Sequence, residues 1–411
     1  FNARKNKNRY LLIARNIGYN EHLKLKNFPL FNLGAYKGGI IIEQKTKRDY
    51  PFGGIAQRTI GYERTDDRGN VTRPGIDGAF GSKYLKGIDG VRLSQKIGKG
   101  QWKPLEDFNQ IEPQDGFDVY TTIDLKIQDI AHFSLLGQLE KFKADHGTVV
   151  VMEVATGEIK AISNLGRTST GKYYEKLNYA IGESHEPGST FKLMGMVAAL
   201  EDKVIDTSDI VDTESGILSF YGRKVRDSKR GGYGKISAAK AFEVSSNTAM
   251  VKLINDNYKE NPEIFVDKLY QMGLNNTLDL PILGEGIPMI THPSDKKNWD
   301  GLDLPWMAFG YGVSITPLQT LTFYNAIANN GIMVKPRFIS RVSDFNTTIE
   351  SFEKQIINPS ICSEDTAKKV QKMMENVVAK KHGTAHNIFD KNFSMAGKTG
   401  TVSYTHLTLP T

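Results

Sequence analysis

The sequence contains a single cysteine, Cys362, among its 411 residues. One thiol excludes an internal disulfide and a metal site built from several thiolates. No apolar run approaches the roughly 18 residues that mark a transmembrane helix, so we expect none within these residues. The chain begins at Phe1 rather than at a methionine, and we expect a native N-terminal segment, with any signal or anchor, to precede it.

The sequence also lacks a strong excess of charge of either sign. The 53 basic and 46 acidic residues leave a net charge of +7, a mild bias for this length. Such a bias suits an anionic surface or polymer as a partner and does not single out nucleic acid, which we do not expect as one. With 39% apolar and 24% charged residues the composition is that of a folded globular chain, and its length predicts two or more domains.

A change of composition near residue 112 divides the chain. Before it, residues 61–100 mix many glycines with polar residues, which predicts irregular β-structure and loops. After it, strand and helix patterns follow one another. The predicted elements are strands at 118–122, 148–154, 159–162 and 393–401, and helices at 125–142, 318–329 and 363–380. Helix signals also dominate residues 191–275. We therefore predict one domain over 1–112 and a second over 113–401.

Ser189 and Lys192 lie three residues apart, directly after a Pro-Gly turn and at a predicted helix start. A serine hydroxyl is a weak nucleophile, and a lysine in a desolvated pocket can lose its proton and act as its base. Positions i and i+3 share one face of a helix, so the Lys192 amine can reach the Ser189 hydroxyl. The same spacing occurs four more times in the chain, so it indicates catalysis only in combination with other motifs.

Two further motifs supply that combination. Ser245-Ser246-Asn247 begins 56 residues after Ser189, and Lys398-Thr399-Gly400 begins 153 residues after Ser245. This order of Ser-x-x-Lys, Ser-x-Asn and Lys-Thr-Gly is the signature of serine acyl-transfer enzymes. Ser245 is predicted to relay a proton to a leaving amine, and Asn247 to hold an amide of the substrate.

The third motif is predicted to bind substrate as well. Lys398 supplies positive charge, and the hydroxyls of Thr399 and Thr401 can bind a carboxylate. Gly400 allows the substrate backbone to approach closely. The backbone N–H groups of Ser189 and Thr401 are the expected donors to an oxyanion.

Simpler interpretations exist for each motif. A Ser-x-Asn triplet often caps a helix, and Lys-Thr-Gly can form a turn at a strand end. A phosphate-binding loop ending at Lys398 would need a glycine where Asn392 stands, so that interpretation fails. His185 precedes Ser189 closely, but no paired acid is evident, and we interpret it as a loop histidine.

Other short motifs surround these three. They are Arg-Asp-Tyr-Pro-Phe-Gly at 48–53, Gly-Ile-Asp-Gly-Ala-Phe at 75–80, Thr-Thr-Ile-Asp at 121–124, Thr-Gly-Glu-Ile at 156–159, Asn-Tyr-Ala at 178–180, Thr-Pro-Leu-Gln at 316–319 and Ala-Ile-Ala-Asn-Asn-Gly at 326–331. With them the chain resembles the class B penicillin-binding proteins over nearly its whole length, and most of all their division-specific FtsI type. The family's usual glutamate is Asp77 here, which keeps the charge on a shorter side chain.

The resemblance implies an α/β (α+β) fold, in which a transpeptidase domain with a mixed helical and antiparallel-sheet core follows an elongated, β-rich pedestal domain. It implies a peptidoglycan D,D-transpeptidase that cross-links stem peptides through a serine acyl-enzyme, needs no cofactor or metal, and is inhibited by β-lactams. It also implies a single-pass anchor in the inner membrane, a periplasmic catalytic domain, a SEDS-family glycosyltransferase partner and other divisome proteins. A D,D-carboxypeptidase, a β-lactamase, a β-lactam-binding sensor and a structural envelope protein with an inactive site are the alternatives. The long N-terminal region disfavours the carboxypeptidase and the β-lactamase.

The last ten residues, 402–411, do not resemble the family's next strand. They resemble a translated sequencing adapter, since the adapter string GTCTCTTATACACATCTGACGCTGCCGACG encodes these ten residues in order; a genuine divergent C-terminus is the alternative. We therefore expect the native sequence to diverge after Thr401 and a chain ending there to be poorly active, since the strand carrying Lys398 would lack its neighbours. Sequencing the locus without that adapter tests this expectation.

Overall fold

The computed structural model describes residues 2–8, 10–15, 17–43, 49–66, 68, 70–91, 94–98, 101–104 and 111–401. By its internal contacts the chain divides into two compact units, Phe1–Gly53 and Gly54–Thr411. Arg48 of the 48–53 motif and the 402–411 tail lie outside the described residues. The origin of the tail therefore stays a prediction. The domain boundary at 112 stays a prediction as well.

The first unit contains helices α1 (Asn2–Lys5), α2 (Tyr19–Lys26) and α3 (Gly34–Gly38). The helices of the second unit are α4 (Gln57–Ile60), α5 (Gly75–Phe80), α6 (Leu125–Phe142), α7 (Tyr179–Gly182), α8 (Lys192–Glu201), α9 (Ala238–Glu243), α10 (Asn247–Tyr258), α11 (Pro262–Gln271), α12 (Asp303–Met307), α13 (Pro317–Ala328) and α14 (Glu364–Ala379). No helix among the described residues is both long and apolar enough to cross a membrane.

The described strands lie in the second unit. They are β1 (Arg64–Thr65), β2 (Val71–Thr72), β3 (Ser94–Gly98), β4 (Gln101–Pro104), β5 (Asp118–Thr121), β6 (His146–Met152), β7 (Ile159–Arg167), β8 (Tyr173–Tyr174), β9 (Ile210–Asp212), β10 (Ile217–Phe220), β11 (Arg223–Arg226), β12 (Lys235–Ser237), β13 (Met289–Ile290), β14 (Val313–Ser314), β15 (Met333–Val334), β16 (Ile339–Asp344), β17 (Thr347–Ser351) and β18 (Ile356–Asn358).

The strands form two three-stranded sheets, ordered β17–β16–β5 and β6–β7–β8, and a set of two-stranded ribbons. Both sheets are antiparallel throughout. Before residue 112 the described strands make only two short hairpins, β1–β2 and β3–β4. The prediction of a mixed helical and antiparallel-sheet fold is confirmed.

Helix α6 lies where its sequence pattern predicts a helix. Asp124 caps α6 by accepting hydrogen bonds from the backbone N–H groups of Lys126 and Ile127. Leu135 and Leu139 of α6 pack on Leu165 of β7. Capping and a 3.6-residue apolar period agree here, so sequence and structure place the helix at the same residues.

Helix α8 lies at the centre of the main hydrophobic core. Its residues from Lys192 to Leu200 are all buried, and it contacts α10, α11 and α14. A helix that is apolar on every side must be enclosed by other elements. The chain entering α8 from Ser189 is therefore attached to the most enclosed element of the fold.

One prediction about secondary structure is incomplete and another is wrong. The helical region predicted over 191–275 is interrupted by β9, β10, β11 and β12, because glycines with positive φ turn the chain at Gly216, Gly222 and 231–234. Residues 393–401 form no strand either. Within the described chain, Gly397 supplies the only backbone N–H of 394–401 that is hydrogen-bonded, to the Met374 carbonyl at 3.1 Å, and one such bond makes no ladder.

Candidate active site

Ser189 lies in a short 3-10 turn, Gly188–Phe191, that leads directly into α8. Gly188 has a φ of +55°, and its N–H donates to the Gly310 carbonyl at 3.0 Å. Gly310 has a φ of +90°, and a Cβ there would overlap the Gly188 carbonyl oxygen. Two backbones therefore meet without side chains between them, which fixes the turn that presents Ser189.

Side chains hold the same turn from behind. The Tyr324 hydroxyl donates to the Thr190 carbonyl at 2.9 Å, and the Thr190 hydroxyl donates to the Pro187 carbonyl at 2.7 Å. Burial raises the pKa of Tyr324, so the phenol stays protonated and keeps its donor. Phe191 is fully buried in the core. The Ser189 hydroxyl is half-buried, and none of the described residues is hydrogen-bonded to it.

Lys192 is fully buried, with its amine facing the loop between α9 and α10. Its Nζ lies 2.8 Å from the Ser245 carbonyl oxygen, 3.1 Å from Ser245 Oγ and 2.6 Å from Asn247 Oδ1. Burial first, and then the charge of Lys398, holds the pKa of Lys192 well below its usual range, while Asp227 acts in the opposite direction. Within the described chain the Lys192 amine is hydrogen-bonded to Ser245 and Asn247 and not to Ser189.

Ser245 joins the two amines of the site. Its hydroxyl oxygen lies 3.1 Å from Lys192 Nζ and 2.8 Å from Lys398 Nζ. Its φ is +55°, a left-handed backbone conformation that costs a non-glycine residue about 1–2 kcal/mol. Strain of this kind persists only where the surroundings hold it, and here it turns the hydroxyl between two lysines.

The position of Asn247 depends on Asp227, a residue that the sequence motifs do not contain. The Asp227 carboxylate accepts from the backbone N–H groups of Asn247 and Thr248 at 2.7 and 2.9 Å, and from the hydroxyls of Ser246 and Thr248. It therefore caps α10, where a negative charge also suits the helix dipole. The Asn247 amide in turn donates to the Arg226 carbonyl at 2.8 Å.

Lys398 approaches from the 394–401 segment. Its Nζ donates to Ser245 Oγ at 2.8 Å and to the Thr399 carbonyl at 2.9 Å, and lies 5.6 Å from the Phe242 ring centre. Burial lowers the pKa of Lys398 to about 7. Lys192 and Lys398 thus share one hydroxyl, and the charge of Lys398 disfavours a proton on Lys192.

The rest of the Lys-Thr-Gly segment lies beside the Ser189 turn. A Cβ on Gly400 would lie 3.0 Å from Thr190 Cγ2, so the segment passes close to the start of α8. The Thr399 hydroxyl is 2.7 Å from that of Thr384, another residue absent from the sequence predictions. Thr401 is exposed. The structure therefore gathers Lys192, Ser245, Asn247 and Lys398 by direct hydrogen bonds and brings 398–400 alongside Ser189.

The remaining candidates lie apart from this cluster. His185 is exposed and pairs through its backbone with Ile315. Within the described ranges, no group of three or more His, Cys, Asp or Glu side chains is arranged to hold a metal ion. The chemistry available at the cluster is that of two amines, one fully buried and one half-buried, that share the Ser245 hydroxyl.

The sequence from 147 to 408 matches the family described as "Penicillin binding protein transpeptidase domain". This match covers more than half of the chain, and the chain belongs to the penicillin-binding protein transpeptidase family. The resemblance to class B members of the FtsI type is confirmed.

Individual relatives extend the match toward the N-terminus. The chain is 29% identical to stage V sporulation protein D of Bacillus subtilis (strain 168), over 88% of this chain and 55% of that protein. It is 26% identical to peptidoglycan D,D-transpeptidase FtsI of Escherichia coli (strain K12), over 96% of this chain and 62% of that one. The chain thus spans about three fifths of the length of these relatives. Penicillin-binding protein 2X of Streptococcus thermophilus has the same fold, with a TM-score of 0.66 at 22% identity over 84% of this chain and 51% of that one.

Proposed function

We propose that this protein is a peptidoglycan D,D-transpeptidase that acts through an acyl-enzyme on Ser189. The observation that carries the proposal is the placement of a fully buried lysine, Lys192, and a half-buried one, Lys398, on the Ser245 hydroxyl, next to the turn that presents Ser189. Burial and the neighbouring charge of Lys398 lower the pKa of the Lys192 amine, which favours its neutral form, the form that can act as a base. Family membership and the names of the relatives support the same reaction.

In the first half of the proposed reaction, Ser189 Oγ attacks the carbonyl carbon of a D-Ala–D-Ala bond and Lys192 takes the hydroxyl proton. The N–H groups of Ser189 and Thr401 donate to the oxyanion. The C–N bond then breaks, and Ser245 passes a proton to the amine of the departing D-alanine, replacing it with the proton held by Lys192. The product is an ester on Ser189.

In the second half, an amine of a neighbouring stem peptide attacks the ester. The C–O bond to Ser189 breaks, and the proton lost by the amine returns to Ser189 Oγ through Lys192 and Ser245. Asn247 holds an amide of the bound peptide, and Lys398 with Thr399 binds the terminal carboxylate of the donor. A neutral Lys192 can donate to the Ser245 carbonyl and to Asn247 while its lone pair accepts a hydroxyl proton.

Labelling by a fluorescent penicillin tests the assignment of Ser189. The full-length protein is expected to form a stable covalent adduct, and Ser189→Ala is expected to form none. Ser169→Ala, at a serine with the same spacing to Lys172, is the matched control and should label normally. Absence of labelling in the wild type, or labelling that survives Ser189→Ala, would reject the proposal.

The acyl acceptor separates the proposed activity from its alternatives. Incubation with a D-Ala–D-Ala stem peptide and an amine acceptor is expected to yield the cross-linked dimer and free D-alanine. Hydrolysed peptide without dimer would indicate a carboxypeptidase, and an adduct that never turns over would indicate a sensor.

We further propose that the protein works in septal cell-wall synthesis at the outer face of the inner membrane. Peptidoglycan lies on that face, and the name of the FtsI relative states the peptidoglycan D,D-transpeptidase reaction. A SEDS-family glycosyltransferase is the expected partner, since newly polymerised glycan is the substrate for cross-linking, and divisome proteins would recruit both. A fluorescent fusion at mid-cell supports this role, whereas a uniform lateral-wall signal contradicts it.

A further inference from the structure

A strongly basic stretch lies between the first two catalytic motifs. Residues 216–235 contain six basic residues and one acidic residue. The basic side chains at 223, 224, 226, 229 and 230 are all exposed. None of them forms an ion pair with an acidic residue in the described part of the chain. We call residues 223–230 the basic arm.

No acidic side chain in the described part of the chain neutralises these basic side chains. The one acid of the stretch, Asp227, is directed inward and bonded to the start of α10. Val225 is buried and anchors β11, which pairs with β10 in the register Ser219↔Lys224. Lys229 rests 5.3 Å above the Tyr233 ring. Exposed cations without partners create a positive potential that attracts anions to this surface.

The basic arm is continuous with the proposed active site. The Arg226 carbonyl accepts the Asn247 amide at 2.8 Å, and Asn247 Oδ1 accepts the Lys192 amine at 2.6 Å. One residue of the arm, Arg226, is therefore hydrogen-bonded to a side chain that contacts the proposed base. Lys398 reaches the same site from a different segment, 394–401, so the donor peptide already has a cation for its terminal carboxylate.

The spacing of the arm suits an extended peptide with several carboxylates. Alternate residues of a strand share a face and lie about 7 Å apart, which relates Lys224 to Arg226. Alternate residues of a bound extended peptide repeat at the same distance. Arginine and lysine pair well with carboxylates, and separate exposed cations favour a ligand whose charges are spread along a chain.

We propose that the basic arm binds the carboxylates of the acceptor stem peptide and guides its amine to the acyl-enzyme. This inference rests on the proposed transpeptidase function. It adds that the acceptor is an anionic peptide and that a surface separate from the Lys-Thr-Gly segment recognises it.

The test compares Arg223→Gln/Lys224→Gln/Arg230→Gln with the wild type in the full-length protein. Arg226 is left in place because its carbonyl bonds to Asn247. Two acceptors are used, a stem peptide with free carboxylates and the same peptide with those carboxylates amidated. Each exposed ion pair contributes about twofold to fivefold, so the KM for the carboxylate acceptor is expected to rise roughly tenfold or more. The KM for the amidated acceptor should not change, and 1 M salt should reproduce the effect in the wild type.

The matched control neutralises three exposed lysines on another element, as Lys126→Gln/Lys141→Gln/Lys143→Gln at α6 and its C-terminal end. It should leave both acceptors unaffected. Penicillin labelling of all variants should stay within about twofold of the wild type, which shows that each is folded and that Ser189 is intact.

Two outcomes would overturn the inference. An equal rise in KM for both acceptors would show that the arm does not read carboxylates. An unchanged KM, with loss of binding to anionic phospholipid vesicles, would assign the arm to a lipid surface. Failure of the proposed function looks different, because the wild type would then not be labelled by penicillin at all.

Discussion

The two lysines that share Ser245 Oγ lead to a prediction about the pH dependence of acylation. Removing the charge of Lys398 by Lys398→Gln should make Lys192 easier to protonate, because Lys398 lowers the pKa of Lys192. Lys192 acts as a base only when it has lost its proton. The acid limb of the acylation profile, which is the range where the acylation rate falls as the pH is lowered, is therefore expected to move to higher pH.

The size of the interaction follows from the geometry. Both nitrogens lie within hydrogen-bonding distance of one oxygen, at 3.1 and 2.8 Å, so they are no more than about 6 Å apart. At an effective dielectric constant of about 20, two unit charges at that separation repel by about 3 kcal/mol. Burial lowers the pKa of Lys398 to about 7, so its charge acts mainly below neutrality.

The assay is the second-order rate constant for acylation by a fluorescent penicillin, measured across the neutral range. Lys398→Gln will also lower the plateau, because a contact to the β-lactam carboxylate is lost, but the position of the acid limb is independent of the plateau. Lys398→Arg restores the charge and should restore the limb. Lys240→Gln, at an exposed lysine of α9, should change neither. A limb that stays in place or moves to lower pH in Lys398→Gln would refute the assignment of Lys192 as the base held neutral by its neighbour.

Three further predictions concern stability and its coupling to the site. Asp227→Ala should lower the free energy of unfolding by about 2–4 kcal/mol in thermal melts and slow penicillin labelling, whereas Asp227→Asn, which keeps an acceptor oxygen, should do so less. Gly310→Ala should cost at least about 2 kcal/mol because its Cβ meets the Gly188 backbone, while Gly312→Ala, with positive φ but open space, should cost about 1 kcal/mol; equal costs would contradict the close contact. Burial raises the pKa of Glu175 to about 7 from 4.5, so its contribution to stability is present below pH 4.5 and is lost as the pH rises through 7. In the wild type the free energy of unfolding should therefore fall by up to about 3 kcal/mol as the pH rises through 7, and Glu175→Gln should remove this fall. Thermal melts of the wild type that show no loss of stability in the neutral range would contradict the prediction.

The sequence was most informative where local rules and tertiary packing agree. Helix α6 has an aspartate cap and a clear apolar period, and α13 has a Pro at its first position with a complete capping box around Thr316. The motif residues Lys192, Ser245, Asn247 and Lys398 are identifiable from the sequence alone because their order and spacing are specific.

The remaining features depend on contacts between distant segments. Asp227 supports Asn247 only because β11 packs against the start of α10, and no local pattern at residue 227 indicates this. The left-handed backbone of Ser245 and the hydrogen bonds of Lys192 to Ser245 and Asn247 likewise depend on neighbouring segments. The predicted strand at 393–401 failed for the same reason, since a strand exists only with a partner.

The two sides of the site differ in how firmly the backbone holds them. Ser189 sits on a turn held by Gly310 and Tyr324 and continuous with an entirely enclosed helix. The 394–401 segment facing it has, within the described chain, a single backbone N–H that is hydrogen-bonded, that of Gly397. Local opening costs least where backbone hydrogen bonds are few. The segment that carries Lys398 is therefore expected to adjust to ligands of different shape, while Ser189 keeps its position. Under the proposed function, substitutions that change the rate of penicillin labelling without abolishing it are expected at 394–401 rather than behind Ser189.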